Sequence, residues 1–302
     1  MSKLIVVIGA TGKQGGSVIK HLQKQGNWKL RGITRDSNSA RAKELAEQGV
    51  EIVSCNMSNK EALAEAFKGA YGVFGVTTPG RFGSVDHEKE LTEGLNLVEA
   101  AVKNNVQHFV FSSLDDVTKA SGGKISVPHF TNKNKVEQEA RKTNIPFKTF
   151  VYPPFFADNL PGMMFRLNED RASAMIFAGV NTDRKLPVFG VDDLGIVVSE
   201  VFKHPENYNG RKLLTAGDYV SLKEMADICT TVLNVPTQYV AMDAETVGQR
   251  MGSEAKNMFM YFNECGYYQD NEQQAVKEAR ELFPGLLTFE QYVEKNSQLF
   301  LK

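Results

Sequence analysis

Cysteine is scarce in this chain. Cys55, Cys229 and Cys265 are the only three among 302 residues, far apart and in no C-x-x-C arrangement, which argues against both a disulfide framework and a zinc site. That usage fits a reducing compartment, so the cytoplasm is the expected location, with the nucleus as a second. The five histidines, His21, His87, His108, His129 and His204, show no H-E-x-x-H or comparable ligand spacing, and no metal is expected. No segment approaches the roughly 18 apolar residues of a membrane span. The opening apolar run, Leu4 to Ile8, breaks off at Gly9, too soon for a signal peptide. Neither charge dominates, since 35 basic residues face 36 acidic ones. Direct nucleic-acid binding and a polybasic membrane contact therefore have no electrostatic footprint. Repeats, low-complexity tracts and flexible linkers are also lacking. What remains is an ordinary globular composition, long enough for one extended α/β domain or for a nucleotide domain plus a smaller lobe.

The most informative stretch follows that first apolar run. From Gly9 to Gly15 the chain reads GATGKQG, the pattern of a strand, a tight glycine turn and a helix start. Gly9 and Gly12 are expected to turn with positive φ and to let a ligand approach, and Gly15 to let the helix pack on the strand. Helical spacing continues through Ser17 to Leu22, and a second strand arrives at Lys29 to Thr34, within one βαβ unit. The free N–H groups and positive dipole end of such a helix suit a dinucleotide pyrophosphate, which places Gly9, Thr11, Gly12, Lys13, Gln14 and Gly15 in a cofactor site. A nucleotide-triphosphatase loop is excluded, because Gln14 stands where it needs Ser or Thr and Val7 where it needs glycine.

Strand and helix signals alternate through the first half, with strands near 3–8, 29–34, 50–54, 71–76, 107–112 and 147–151 and helices near 13–25, 39–48, 59–68, 85–104 and 129–143. Alternation of this kind specifies a doubly wound parallel sheet of Rossmann type covered on both faces. Asn59 is placed to cap one helix, with Gly69 just past its end, and Pro128 to open another. Beyond about residue 152 helical patterns dominate (192–203, 221–233, 243–251, 253–264, 271–282, 288–300), interrupted by short apolar pieces at 174–178, 186–189, 211–215 and 237–240 that suit strands. The expected organisation is a nucleotide-binding domain over 1–152 and a smaller, mainly helical lobe over 153–302, with a cleft at the seam.

Cofactor choice is read at the end of the second strand. An acidic residue there would hold the adenosine ribose hydroxyls, whereas this chain has Arg35, followed by Asp36, Ser37 and Asn38. Arg35 suits a 2′-phosphate, favouring NADP(H); the alternative leaves Arg35 solvated and makes Asp36 the ribose ligand. Asn56 and Met57, after the third strand, suit an adenine or else a turn. Thr77, Thr78 and Pro79, after the fourth, are assigned to the far half of the cofactor by topology. The aspartates Asp192 and Asp193 read as an N-cap pair. Phe259 to Phe262 and Tyr267–Tyr268 read as a core stripe, with a substrate or partner surface as the alternative.

The helix opened by Pro128 carries His129 and Lys133. The glycine pattern resembles short-chain dehydrogenases/reductases, in which a Tyr lies four residues before a Lys on this helix. The lysine ammonium stabilises the phenolate that acts as base. His129 occupies the Tyr position, and an imidazole cannot inherit the phenol's geometry. A structural or cofactor-contacting role is the expectation for His129. Lys133 is expected to bond the nicotinamide ribose, the alternative being a surface lysine.

The combination of GATGKQGGSV from Gly9, Thr34–Arg35, His129–Phe130 with Lys133, Pro153 to Leu160, Asp193 to Gly195 and Met258 to Phe262 resembles the NmrA-like family of atypical short-chain dehydrogenases, and most of all its NADPH-sensing members, over nearly the whole chain. The resemblance implies pyrophosphate at Gly9 to Gly15, a 2′-phosphate at Arg35 to Asn38, and adenine at Asn56 and Met57. It puts the nicotinamide half against Thr77 to Pro79 and Lys133, with Pro153, Phe155 and Phe156 beside it. Asn56 departs from the family, where an Asp is frequent, and so does the segment Ala157 to Asn159. Regulatory members lack the catalytic Tyr and change shape or partner with NADPH/NADP⁺ status. A protein partner, either a transcription regulator or a metabolic enzyme, is implied, and a homodimer through the C-terminal helices stays open. The alternative implied by related reductases is NADPH-dependent reduction of quinones or enones. In that case Lys133, with its pKa lowered by desolvation, is the catalytic acid/base, and Tyr152 is a second proton source.

Overall fold

The computed structural model describes residues 2–78 and 86–302. The first half runs β1 (Lys3–Ile8), α1 (Lys13–Gln25), β2 (Trp28–Thr34), α2 (Ala40–Glu47), β3 (Glu51–Ser54), α3 (Lys60–Ala66), β4 (Gly72–Gly75), α4 (His87–Lys103), β5 (His108–Ser112), α5 (Val117–Ala120), α6 (Pro128–Lys142) and β6 (Phe147–Tyr152). The second half continues with β7 (Phe155–Phe156), β8 (Phe165–Leu167), β9 (Ala174–Ala178), β10 (Lys185–Phe189), α7 (Val191–Lys203), α8 (Pro205–Tyr208), β11 (Lys212–Leu214), β12 (Asp218–Ser221), α9 (Leu222–Leu233), β13 (Thr237–Ala241), α10 (Ala244–Met251), α11 (Ser253–Cys265), α12 (Glu272–Leu282) and α13 (Phe289–Phe300).

The main sheet has seven strands in the order β11-β6-β5-β4-β1-β2-β3, and every neighbouring pair is parallel. Strand β1 is an inner strand between β4 and β2, and its Ile5 to Ile8 are buried on both sides, as an unbroken apolar run in a parallel sheet requires. Its side chains alternate between two cores. Val6 and Ile8 join Val73, Leu97, Phe109 and Val136 on one face, while Ile5 and Val7 join Val18, Leu22, Phe74 and Val198 on the other. The strand order reverses between β1 and β4, and a crevice opens there at the carboxyl ends of the strands.

The chain recrosses residue 152. Lys212, Leu213 and Leu214 of β11 pair with Phe150, Val151 and Tyr152, so the second half supplies the sheet's edge strand. Helix α7 lies along α1, where Ser17 Oγ accepts from the Gly195 N–H at 3.0 Å; a Cβ on Gly195 would sit 2.4 Å from the Ser17 carbonyl. The other segments form two three-stranded sheets, β12-β10-β7 and β13-β9-β8, dressed with α9 to α13. No helix among the described residues is long and apolar enough to cross a membrane.

Several local expectations meet their physical cause. Asn59 accepts from the Ala62 N–H at 2.9 Å and caps α3, Gly69 follows in the left-handed region (φ 74°), and Pro128 is the first residue of α6. The aspartate pair needs correction. The N-cap of α7 is Gly190, and Asp192 and Asp193 lie inside its first turn. Asp192 reaches Lys20 at 2.8 Å and His21 at 3.3 Å on α1, and buried Asp193 accepts from the Leu287 N–H at 3.2 Å. These carboxylates hold two other segments to α7, and its N-terminus is covered instead by Asp158, whose Oδ2 accepts from the Val191 N–H at 2.7 Å. The stripe Phe259, Tyr261, Phe262, Tyr267 and Tyr268 is buried as a core. Phe130 of α6 meets Tyr261, Phe262 and Tyr267 at ring-centroid distances of 6.2, 6.2 and 6.0 Å. A buried aromatic of this kind contributes roughly 1.5–3 kcal/mol, so the lobe shares one core with the sheet.

Candidate functional site

The turn after β1 is built as a cradle. Gly9 adopts φ 64°, its carbonyl accepts from the Gly12 N–H at 2.8 Å, and a Cβ on Gly15 would stand 2.3 Å from that same carbonyl oxygen. Gly12 does not have the expected positive φ. It is extended (φ −85°, ψ 173°) and serves as an N-cap with no side chain over the helix end. With no side-chain cap and no acidic residue in the first turn of α1, its leading N–H groups and positive dipole end are left uncompensated by the described residues. Thr11 Oγ1 ties the turn to Thr34 Oγ1 at 3.1 Å. Exposed Lys13 reaches the Asp158 carbonyl at 3.4 Å. Gln14 Oε1 is buried and has no hydrogen-bond partner among the described residues.

At the end of β2 the two candidate charges separate. Asp36 Oδ1 accepts from the Asn38 N–H at 2.8 Å, and the Asp36 carbonyl accepts from Ser39 Oγ at 3.0 Å. The aspartate is drawn into the turn that starts α2. Arg35 is exposed; its carbonyl accepts from Ser54 Oγ at 3.2 Å, and its guanidinium has no ion-pair partner among the described residues. Ser37 and Asn38 flank it. After β3, exposed Asn56 uses Oδ1 to accept from the Ser58 N–H at 3.0 Å, a turn role that leaves its Nδ2 without a partner among the described residues. Met57 is half-buried, and its carbonyl accepts from Asn96 Nδ2 at 2.9 Å.

A cavity of about 300 Å³ opens beside the cradle, at the carboxyl ends of β1, β4, β5 and β6. Gln14, Thr77, Thr78, His129, Lys133, Pro153, Phe155 and Phe156 all line it, so the topology gathers residues from most of the chain's first half into one place. Pro79 lies outside the described residues. The opposite wall comes from the lobe, through Met251, Met258, Phe262 and Tyr267. The stripe that reads as core in the sequence is thus also a wall of this space.

Lys133 is not a surface lysine. It is 6% exposed and its Nζ bonds Glu90 Oε1, a carboxylate 1% exposed that also accepts from Thr77 Oγ1 at 2.9 Å. Burial lowers the Lys133 pKa, while the charge and hydrogen bond of Glu90 hold it up. Glu90 Oε2 is buried with no partner among the described residues. Sequence reasoning passed over Glu90, yet a signal existed: Glu90 shares a helical stripe with Gly94, Leu97 and Ala101, all buried, and a carboxylate on an apolar stripe calls for a partner.

His129 bonds Glu254 of α11, with Nδ1 to Oε1 at 2.6 Å and its backbone N–H to the same oxygen at 3.2 Å. His87 Nε2 reaches the other oxygen at 3.3 Å. Burial pushes the Glu254 pKa up, but the His129 hydrogen bonds and the charges of both imidazoles outweigh it and leave it lowered. Glu254 was also missed, because it lies 125 residues from its partner. The expectation that Tyr152 supplies a proton is overturned. Tyr152 is 1% exposed, donates to Glu137 Oε2 at 2.7 Å and accepts from Asn134 Nδ2 at 3.2 Å. Burial and then the Glu137 charge push its pKa far above that of a free phenol.

The model of the NmrA-like family matches residues 1–293. An NmrA-like family domain-containing protein of Dictyostelium discoideum is 30% identical over 302 residues, covering 98% of both chains. The NmrA-like family domain-containing oxidoreductase FrzB of Cladobotryum is 32% identical over 228 residues, 70% of this chain and 68% of its own. Among solved structures, NmrA, a negative transcriptional regulator crystallised in complex with NADP, superposes with a TM-score of 0.82 at 22% identity over 98% of this chain and 96% of its own; the same regulator has also been crystallised with NAD. With a matched family model over almost its whole length and the Rossmann-type sheet, glycine cradle and helix lysine in their places, the chain belongs to the NmrA-like family.

Proposed function

We propose that the protein is an NADP(H)-binding redox sensor that acts on a protein partner, a regulator or a metabolic enzyme, without efficient turnover of its own. One observation carries this reading. Lys133 and His129, which line the cavity, and Tyr152 at the end of β6 are each engaged by a carboxylate, Lys133 by Glu90, His129 by Glu254 and Tyr152 by Glu137, and Tyr267 in the cavity wall donates to the Pro153 carbonyl at 3.2 Å. A cofactor bound there would supply hydride-transfer chemistry, but the described residues around the cavity offer no free acid to complete a carbonyl reduction.

The residues present fit a dinucleotide. The uncapped α1 and the close approach at Gly15 suit a pyrophosphate, and buried Gln14 Oε1 is an acceptor waiting for a donor. Arg35, at the end of β2 with Ser37 and Asn38 beside it, has no ion-pair partner among the described residues and suits a 2′-phosphate. Asn56 and Met57 would take the adenine, and Thr77, Thr78, Lys133, Pro153, Phe155 and Phe156 the other end. Sensing then follows from linkage: a cofactor form that binds one conformation better shifts its population, and the partner reads the shift.

Titration calorimetry on the Arg35→Ala variant should show NADPH affinity reduced about tenfold or more, roughly 1.4 kcal/mol, with NADH affinity unchanged. Solution scattering and partner capture should differ between NADPH-loaded and cofactor-free protein; identical behaviour in the two states would reject the sensor.

A second reading rests on the cavity itself. Phe155, Phe156, Phe262, Met163 and Met164 make it an apolar, ring-sized space, and hydride transfer to a quinone needs little acid catalysis. NADPH oxidation by a panel of quinones at rates well above buffer would establish this reductase in place of the sensor.

A further inference from the structure

The Lys133–Glu90 pair is oriented. Lys133 lines the cavity, whereas Glu90 does not and lies behind it, 1% exposed, holding the ammonium on Oε1 together with Thr77 Oγ1. The pair is neutral as a whole, yet it turns its positive end toward the cavity. Ions packed this deeply are screened little by solvent or salt. Of the other charged and titratable groups nearby, His129 also lines the cavity but is bound to Glu254, which His87 reaches as well, at the N-termini of α6, α11 and α4, so among the described residues Lys133 contributes the ammonium that faces the space.

We infer that the buried Glu90–Lys133 pair makes this site choose between the two redox forms of its coenzyme, favouring the uncharged reduced ring over the cationic oxidised one. The inference rests on the dinucleotide reading above and supplies the residue basis for the sensing proposed there. The two forms share the same phosphates, riboses and adenine, so contacts along the cradle cannot separate them. Oxidised nicotinamide carries one positive charge that reduced nicotinamide lacks. A fixed ammonium at the wall penalises that charge, and the carboxylate behind it has two effects. It keeps Lys133 protonated against the cost of burial, and it reduces a full charge to a dipole, so that the oxidised form is disfavoured without being shut out.

The test is the ratio of dissociation constants, NADP⁺ over NADPH, measured by calorimetry on the full chain. In the wild-type protein the ratio should exceed about ten, equivalent to roughly 1.4 kcal/mol. Lys133→Met combined with Glu90→Gln replaces the ion pair by neutral side chains of similar volume, an exchange that buried pairs tolerate, and should bring the ratio toward one. Arg35→Ala should weaken both forms alike and leave the ratio intact. A measurement on unmodified protein guards against a variant that does not fold: tetrahydro-NADP, whose ring is neutral and redox-inert, should bind like NADPH. Binding of tetrahydro-NADP like NADP⁺, a wild-type ratio at or below one, or a double variant that keeps the wild-type ratio would each overturn the inference while leaving the dinucleotide site standing. A wild-type protein that takes up neither form would overturn both.

Discussion

Gly94 of α4 sits so close over Val136 of α6 that a Cβ at position 94 would stand 2.3 Å from Val136 Cγ2, and 3.2 Å from Thr77 Cγ2. Gly94 lies one turn after Glu90, and Val136 one turn after Lys133, so this contact sets the approach that lets the carboxylate meet the ammonium. The site's buried charge therefore depends on a missing side chain.

Gly94→Ala should destabilise the fold by about 1–3 kcal/mol, because Val136 is β-branched, fully packed and has no room to move. Urea unfolding would measure it. Adding Val136→Ala should relieve the clash, so that the double variant costs less than the sum of the two single ones. Simple additivity would mean that the helices do not touch here.

Glu254 joins three helices through one carboxylate. Glu254→Gln should cost about 1.5–3 kcal/mol at pH 7, the range for hydrogen bonds to a charged group. The folded-state pKa of Glu254 lies below its ordinary 4.5, so this stabilisation is present above pH 4.5 and is lost as pH falls through the lower folded value. Denaturation curves for the two proteins should therefore converge in acid; a difference that persists at pH 2 would assign the effect to shape instead of charge.

Asp193 works in the opposite direction. Burial pushes its pKa from 3.8 up to about 7, helped by the neighbouring Asp192 and Asp158 charges and opposed by the Leu287 hydrogen bond and Lys295. The folded chain then holds a proton that the unfolded chain has released, so stability falls as pH rises from about 4 to about 7 and the full benefit is present only below 4. Three pKa units correspond to about 4 kcal/mol. Asp193→Asn should flatten this slope and be the more stable protein at pH 8 by thermal melting.

Much of the architecture was legible because its causes are local. The run Leu4 to Ile8, the glycines from Gly9 to Gly15, the Asn59 cap and the first-turn Pro128 each act within a few residues, and the sheet and cradle follow from them. The C-terminal helices were equally readable by pattern, and the apolar pieces at 174–178, 186–189, 211–215 and 237–240 became β9, β10, β11 and β13, whereas the short strands β7, β8 and β12 gave no such signal. That Leu213 completes the large sheet and not a small one was not, since its partner Val151 is remote in sequence.

The candidate site divides along the same line. Sequence by itself determined the residue types at the cavity: a lysine one helical turn past a histidine that replaces tyrosine, and an arginine where an acid would otherwise hold a ribose. Only the tertiary structure decided which of these groups keep a free charge. Among the described residues Arg35 stays unpaired, since Asp36 folds back onto Asn38, whereas Lys133, His129 and Tyr152 are each claimed by a carboxylate from 15 to 125 residues away. The physical reason is range. Backbone conformation is dictated by neighbours along the chain, but the state of an ionisable group is set by the solvent it loses and the partner it gains, and both come from packing between distant segments.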